Sequence, residues 1–288
     1  MGNRDQIPLY DVLVSVGVPT YNRADLLELA LKKLLAQTHK NIEIIVSDNA
    51  STNPSVAGVI ASYASKDSRI RAFRQPSNIG AMPNFLFVLR EARGEFFMWA
   101  ADDDEWSPDC IEFYLANIGS AGLVSGNFET VFHAQNKVLL TEVPRLDPDK
   151  PVYKNAEAFI ANLQPSMIYG LHKTECLRAN IPAENFDFWD CALVYSILLD
   201  QGVKTVAGAR YRAGVHSLEY EIKLANPAVA KLQFRGFLVH ALKETLRCPK
   251  ISSFGKFSLF VAIVKLVQTL KKHHRARVRE QYSRNNEK

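Results

Sequence analysis

The sequence predicts an α/β protein: a mostly parallel central sheet flanked by helices, with a helical C-terminal extension. Three observations carry this expectation. Strand-like and helix-like segments alternate four times over residues 1–118. The strand-like segments are near-continuous apolar runs, as expected of strands covered on both faces. A polar loop follows each strand, on the edge where open parallel sheets bind their ligands.

In chain order, "DVLVSVGVP" (11–19) is short, rich in β-branched residues and reads as a strand. "RADLLELALKKLLAQ" (23–37) places Leu26, Leu27, Ala30, Leu31, Leu34 and Leu35 at helical spacing. "NIEIIVSDN" (41–49) is a second strand, "NPSVAGVIASYASK" (53–66) a weaker helix and "IRAFRQP" (70–76) a third strand. "GAMPNFLFVLREARG" (80–94) is a third helix, with Gly94 expected as its C-terminal cap. "EFFMWAA" (95–101) is a fourth strand. "SPDCIEFYLANI" (107–118) then opens a helix, with Ser107 expected as N-cap and Pro108 as its first residue.

Composition bounds the class. With 288 residues, 47% hydrophobic and 23% charged, the chain is an ordinary globular protein rather than a disordered one. Four cysteines (Cys110, Cys176, Cys191, Cys248) form no CxxC and no metal spacing, and suit buried thiols in a reducing compartment. The first residues lack a basic head followed by an apolar run, so no signal peptide is expected and the location reads as cytoplasmic. The net charge of +5 is unevenly spread. From Pro249 onward there are ten Lys/Arg and two Glu, whereas residues 1–248 carry 25 basic and 28 acidic groups. A mildly acidic body with a strongly basic tail points to a tail that meets an anionic surface.

The strand-end loops are "PTYNR" (19–23), "SDNAS" (47–51), "RQPSNIG" (74–80, with Arg74, Asn78 and Gly80) and "ADDD" (101–104). A lone aspartate at a strand end is usually a helix cap; four polar loops on one edge make a site. Asp102, Asp103 and Asp104 repel one another unless a cation offsets their charge. Hard carboxylate oxygens favour Mg2+ or Mn2+, which also bind phosphate. Such an ion stabilises a diphosphate leaving group. Asp48 is placed to accept a base N–H, and Tyr21 to pack on the base. Neither GxGxxG nor GxxxxGK[ST] occurs, so dinucleotide and P-loop sites lack support.

Taken together and in order, "VSVGVPTYNRADLLELALKKLLAQTHKNIEIIVSDNASTN", "NIGAMPNF" and "ADDDEWSPD" resemble the inverting family 2 glycosyltransferases with the GT-A fold. The resemblance covers residues 13–112. It implies a nucleotide-diphosphate sugar donor and a divalent metal, Mn2+ or Mg2+. By position, Pro19, Thr20, Tyr21 and Arg23 look like the base-binding loop, and Asn78 belongs to the same nucleotide-sugar set. Asp48 looks like the uracil- or thymine-binding aspartate. Asp102 resembles the aspartate on the ribose and diphosphate side, and Asp103 the metal ligand of the DxD-type motif. Many relatives read "DADD" here, and this chain has Ala101 at the first of those positions. Asp104 either shares the metal or caps the following helix.

The resemblance makes residues 1–118 the nucleotide-sugar half and 119–222 the acceptor half of one domain, with 223–288 a basic helical extension. In the acceptor half, "AGLVSGNFETVF" (121–132) reads as a strand, "VYKNAEAFIANL" (152–163) as a helix and Met167–Gly170 as a strand. In "FDFWDCALVYSILLDQG" (186–202) an aspartate opens a helix whose apolar face carries Ala192, Leu193, Ile197 and Leu198. The family places its catalytic base at such a position, often in a Glu-Asp pair; here Trp189 precedes Asp190. Asp190 is the expected base and Asp187 the second candidate. An inverting transfer needs one carboxylate to take the acceptor hydroxyl proton. In "VAGARYRAGVHS" (206–217), Arg212 is expected at the diphosphate and His216 as a third metal ligand.

The apolar stretch Phe254 to Leu270 has 17 residues, interrupted by Lys256 and Lys265, and runs into "KKHHRARVR". That is short for a spanning helix. It suits a helix lying in the interface of an anionic membrane. Nucleic acid is not expected, because no recognition motif accompanies the basic residues. The sequence thus leads to a UDP- or dTDP-sugar donor, a growing polysaccharide or lipid-linked saccharide acceptor, and a peripheral place on the cytoplasmic membrane face. Two rivals stay open. A sugar nucleotidyltransferase would want a Gly-rich phosphate loop followed by Lys, which "VGVPTYNR" lacks. A non-catalytic relative that binds glycans or scaffolds a membrane complex would lose the metal carboxylates or the base.

Overall fold

The computed structural model describes residues 11–215 and 227–286. Its first half is a run of parallel strands with intervening helices: β1 (Val14–Thr20), α1 (Ala24–Leu35), β2 (Ile42–Asp48), α2 (Pro54–Ala64), β3 (Ile70–Arg74), α3 (Ala81–Arg90) and β4 (Phe96–Trp99). Every residue of β1 and β2 is buried, which is why they read as unbroken runs rather than alternating ones. α1 turns Leu27, Ala30, Leu31 and Leu34 into the core, and α2 is capped by Asn53, whose side chain accepts the Ser55 N–H at 3.0 Å.

The second half comprises β5 (Glu105–Trp106), α4 (Cys110–Ile118), β6 (Leu123–Phe132), β7 (Lys137–Thr141), α5 (Val152–Ala161), a 3-10 turn (Pro165–Tyr169), β8 (Leu171–Lys173), α6 (Thr174–Ala179), α7 (Trp189–Asp200) and β9 (Val203–Val215). Two long helices follow, α8 (Pro227–Arg247) and α9 (Ser253–Asn286). All nine strands join one mixed sheet in the order β3-β2-β1-β4-β8-β6-β9-β5, with β7 beside β6. β8 lies antiparallel between β4 and β6, and β5 pairs antiparallel with the far end of β9. That last pairing folds the segment after β4 back across the sheet.

α7 is buried from Cys191 to Leu199, on all sides rather than on one apolar face. It is packed against α5, α8 and the 3-10 turn, the environment of a helix that is apolar all round. α8 is hydrogen-bonded to it: Tyr195 Oη pairs with Thr245 Oγ1 at 2.6 Å, and Ser196 Oγ with His240 Nε2 at 2.8 Å. α9 packs on α5. The four cysteines are free and buried. Among the described residues no helix is long and apolar enough to cross a membrane.

Three local expectations are corrected. Gly94 does not cap α3, which ends at Arg90 with Glu91 as its cap. Gly94 sits where the chain enters β4 against the backbone of β1. A Cβ there would lie 2.6 Å from Leu13 O and 2.7 Å from Ser15 N. Ser107 and Pro108 do not start α4. Ser107 N still donates to Arg210 O at 2.9 Å, continuing the β5–β9 pairing, so the helix opens at Cys110 after Asp109. Met167–Gly170 is not a strand; it lies largely within the 3-10 turn, which starts at Pro165. Short apolar runs do not distinguish these states by pattern alone.

Gly94→Ala is expected to lower stability by about 1–3 kcal/mol or more, because backbone atoms rather than flexible side chains meet the new methyl. Urea denaturation of both proteins checks it.

Candidate active site

Parallel pairing sets the polar strand ends side by side. The last residues of three strands are in direct register, Thr20 opposite Asp48 and Asp48 opposite Arg74. β4 pairs Trp99 with Gly17, and Ala100 N still donates to Gly17 O at 2.9 Å. Asp102 therefore emerges beside Thr20. The four loops singled out in the sequence share one edge.

Asp102 and Asp103 converge on a single guanidinium. Arg23 Nη1 donates to Asp102 Oδ1 at 3.0 Å and to Asp103 Oδ2 at 2.7 Å. Thr20 Oγ1 donates to the other oxygen of Asp102 at 2.6 Å. Asp102 is buried, Asp103 less so, and half of the Arg23 side chain faces solvent. Burial raises the Asp102 pKa, while the Thr20 hydrogen bond and the Arg23 charge oppose that rise. Desolvation lowers the Arg23 pKa, but the two carboxylates outweigh it and hold the guanidinium charged.

Asp104 goes the other way. Tyr211 Oη donates to its Oδ2 at 2.7 Å and Gly214 N to its Oδ1 at 3.0 Å, both from β9. It is buried, and desolvation reinforced by Asp103 pushes its pKa well up. Asp104 is thus a strand-to-strand tie. It does not cap α4, whose N-cap is Asp109, which corrects the capping alternative, and it does not join Asp102 and Asp103 at Arg23.

In the neighbouring strand-end loops, Asp48 accepts Ser51 N at 2.9 Å through Oδ1 and pairs with Arg74 through Oδ2. Each oxygen keeps a second lone pair for a further donor. Asn78 Oδ1 accepts the Asn49 amide at 3.0 Å and Gly80 N at 2.9 Å, which shapes the turn into α3. Pro19 is buried in β1, and Tyr21 is 40% exposed at the mouth. Asn22, in left-handed conformation, accepts Thr52 N at 2.7 Å and Asn53 N at 3.0 Å, locking the first loop to the second.

The start of α7 meets this edge through aromatic rings. Trp189 lies edge-on to Trp99 at 6.1 Å and to Phe85 at 6.5 Å between ring centroids. Asp190 is the next residue along the helix. Its Oδ1 accepts Cys191 N at 2.6 Å, and burial raises its pKa against that bond. The preceding Phe188 has φ of 63°, an uncommon conformation for an aromatic residue, and stacks on Phe234 of α8 at 4.1 Å. Asp187 is exposed and outside the helix. Arg212, expected at a diphosphate, is paired with Glu129 on β6 at 2.7 Å. His216 lies outside the described residues.

The family profile "Glycosyl transferase family 2" matches residues 15–160, the stretch that holds Thr20, Arg23, Asp48, Asp102 and Asp103. The chain belongs to glycosyl transferase family 2. An uncharacterized glycosyltransferase of Rickettsia conorii is 38% identical over 115 residues, which is 39% of this chain and 18% of that protein. WcaA of Escherichia coli, named for colanic acid biosynthesis, is 33% identical over 36% of this chain and 37% of its own. The chain thus spans well under half the length of either relative. Among solved structures, S. aureus TarS 1-349 in complex with UDP superposes with a TM-score of 0.65 at 18% identity, over 87% of this chain and 70% of that one. The mannosyltransferase PcManGT from Pyrobaculum calidifontis, in complex with GDP-Man and Mn2+, gives 0.58 at 18% identity, over 90% and 73%. The fold is that of GT-A glycosyltransferases, a mixed sheet flanked by helices.

The donor set fits a divalent cation. Two carboxylates from adjacent residues already reach one cationic nitrogen within 3.0 Å. Among the described residues no cluster of three His, Cys, Asp or Glu forms a complete protein cage. Two carboxylates completed by water and substrate phosphate are the usual arrangement for magnesium-like ions.

Tyr211→Phe is expected to destabilise the fold by about 1–3 kcal/mol, since it strips one of two partners from a buried carboxylate. Chemical denaturation reads this, and a variant as stable as wild type would remove the tie.

Proposed function

We propose that this chain is an inverting, metal-dependent glycosyltransferase. It moves one sugar from a UDP- or dTDP-sugar to a hydroxyl of a growing polysaccharide or lipid-linked glycan. The observation that carries the reading is the meeting of Thr20, Arg23, Asp102 and Asp103 at one sheet edge, with Asp48 in register beside Thr20 and the start of the Asp190 helix packed on β4 through Trp189 and Trp99. The polysaccharide acceptor is supported by relatives named for colanic acid and teichuronic acid biosynthesis. UDP in a TarS structure supports a uridine donor.

In this reading the base packs on Tyr21 and Pro19 and donates an N–H to Asp48. Asn78 holds the neighbouring turn. Asp102 faces the ribose and diphosphate, and Asp103 is the chief metal ligand. Bound there, Mn2+ or Mg2+ supplies positive charge to the leaving diphosphate. With a cation held by the carboxylates, Arg23, now paired with both, would be available to phosphate oxygens. Asp190 accepts the acceptor hydroxyl proton while oxygen attacks the anomeric carbon from the face opposite the diphosphate. Trp189 excludes water beside it and keeps its pKa raised. Acceptors of this class stay at membranes, so the protein works peripherally on the cytoplasmic face.

A thermal-shift panel with UDP, dTDP, GDP and CMP, each with Mn2+ and with EDTA, tests the reading, because a ligand of the folded state raises Tm by mass action. The expected result is a Mn2+-dependent rise with UDP or dTDP that is lost in Asp103→Ala. A flat panel would overturn it. Once a donor is found, donor hydrolysis or transfer should fall at least about 100-fold in Asp190→Asn, the scale of a lost general base. In wild type the rate should drop as pH falls through a pKa above the ordinary aspartate value of about 4. The base acts only when ionised, and burial delays ionisation to higher pH.

A further inference from the structure

α9 has two apolar rows and the body covers one. Ile251, Gly255, Leu259 and Ile263 recur every four residues and are buried, with Gly255 so close that a Cβ would lie 3.2 Å from Tyr153 Cβ of α5. Phe254, Phe257, Phe260 and Val264 form the second row, exposed at 69%, 67%, 49% and 37%. Phe254 touches the Tyr153 ring only at its edge, 6.2 Å between centroids. A contiguous row of phenylalanines on an open helix face differs from the scattered apolar residues of ordinary surfaces.

α8 presents a similar mixture. Val239 and Leu246 are about as exposed as the phenylalanines, and Arg235, Lys243 and Arg247 are exposed with them. Arg247 shares its charge with Glu244 at 3.7 Å. Lys256 Nζ donates to Leu246 O at 2.8 Å, tying the foot of α9 to the end of α8. From Thr245 to Arg279 the chain has nine Lys/Arg and no Asp or Glu.

We propose that the outer face of α8 and α9 docks on an anionic lipid bilayer, with Phe254, Phe257, Phe260 and Val264 inserted at the headgroup level and the flanking Lys and Arg on lipid phosphates. This deepens the peripheral placement proposed above and is independent of the sugar-transfer chemistry. An amphipathic helix with phenylalanines on one side and cations beside them lies in the interface rather than across it, and its lysines extend their stems toward the headgroups. A second copy of this chain fits poorly, because the face would meet its own positive charge.

Sedimentation of the full chain with vesicles tests the proposal. Phosphatidylcholine vesicles are compared with equimolar phosphatidylcholine–phosphatidylglycerol vesicles, at low and high salt. Wild type should partition onto the anionic vesicles about tenfold or more over the neutral ones, less so at high salt. The triple variant Phe254→Ser, Phe257→Ser, Phe260→Ser and the pair Arg235→Glu, Lys243→Glu should each lose about tenfold or more. These side chains are exposed, so the circular-dichroism melt should be unchanged, and the UDP and Mn2+ thermal shift on the same samples reports the donor site separately. Wild type left in the supernatant with both vesicles overturns the proposal. So does a triple variant that binds like wild type, or one whose only change is from dimer to monomer by light scattering.

Discussion

Asp102, Asp103 and Asp104 put three like charges on consecutive residues, and the arrangement of the site follows from how the chain separates them. Asp102 and Asp103 turn outward to Arg23 and Thr20, on the loop that follows β1. Asp104 turns inward to Tyr211 and Gly214 on β9. Each carboxylate therefore has a donor, and Asp103 has Asp104 directed away from it. β5 pairs back onto β9 immediately afterwards, laying Glu105 against Arg212 and Trp106 against Tyr211, and so brings Tyr211 and Gly214 to Asp104. A short strand pair thus holds Asp104, while one guanidinium turns Asp102 and Asp103 the same way.

The same interaction couples the two halves of the molecule. The first half brings the strand ends into register, but Asp104, next to Asp103, is held by a tyrosine more than one hundred residues later. The start of α7 is bound to the edge by Trp189 against Trp99, and from behind by Phe188 stacked on Phe234 of α8. Holding an aromatic residue at positive φ costs on the order of 1–3 kcal/mol, and the α7–α8 contacts offset it. The C-terminal helices are therefore more than an appendage: α8 supports the residue on which proton transfer is proposed to depend.

Much of this was legible in the sequence where pattern and position agree. β1 to β4 and their helices announced themselves because fully buried parallel strands and amphipathic helices have distinct signatures, and parallel pairing then forces their polar ends together. Asp102 beside Thr20, and Asp48 beside Arg74, follow from that register. The inward role of Asp104 was not legible, because it depends on a two-residue strand that no periodicity can reveal. Arg23 read as part of a base-binding loop, yet its guanidinium bridges Asp102 and Asp103, a contact across 79 and 80 residues. The pairing of Arg212 with Glu129 was not legible, because the two lie on different strands, 83 residues apart. Trp189 was noticed for its neighbour Asp190; that it docks on Trp99 needed the fold.

The central claim is that Asp102 and Asp103 hold a divalent cation together with a nucleoside diphosphate, while Asp104 serves the fold. Electron paramagnetic resonance of Mn2+ tests it directly, since the six-line signal of the free ion diminishes on binding. Titrating wild type with Mn2+ in the presence of UDP or dTDP should remove the free signal with one of them, and Asp103→Asn should restore it with the melt unchanged. An undiminished free signal in wild type with both nucleotides, or equal Mn2+ binding by Asp103→Asn, would contradict the account.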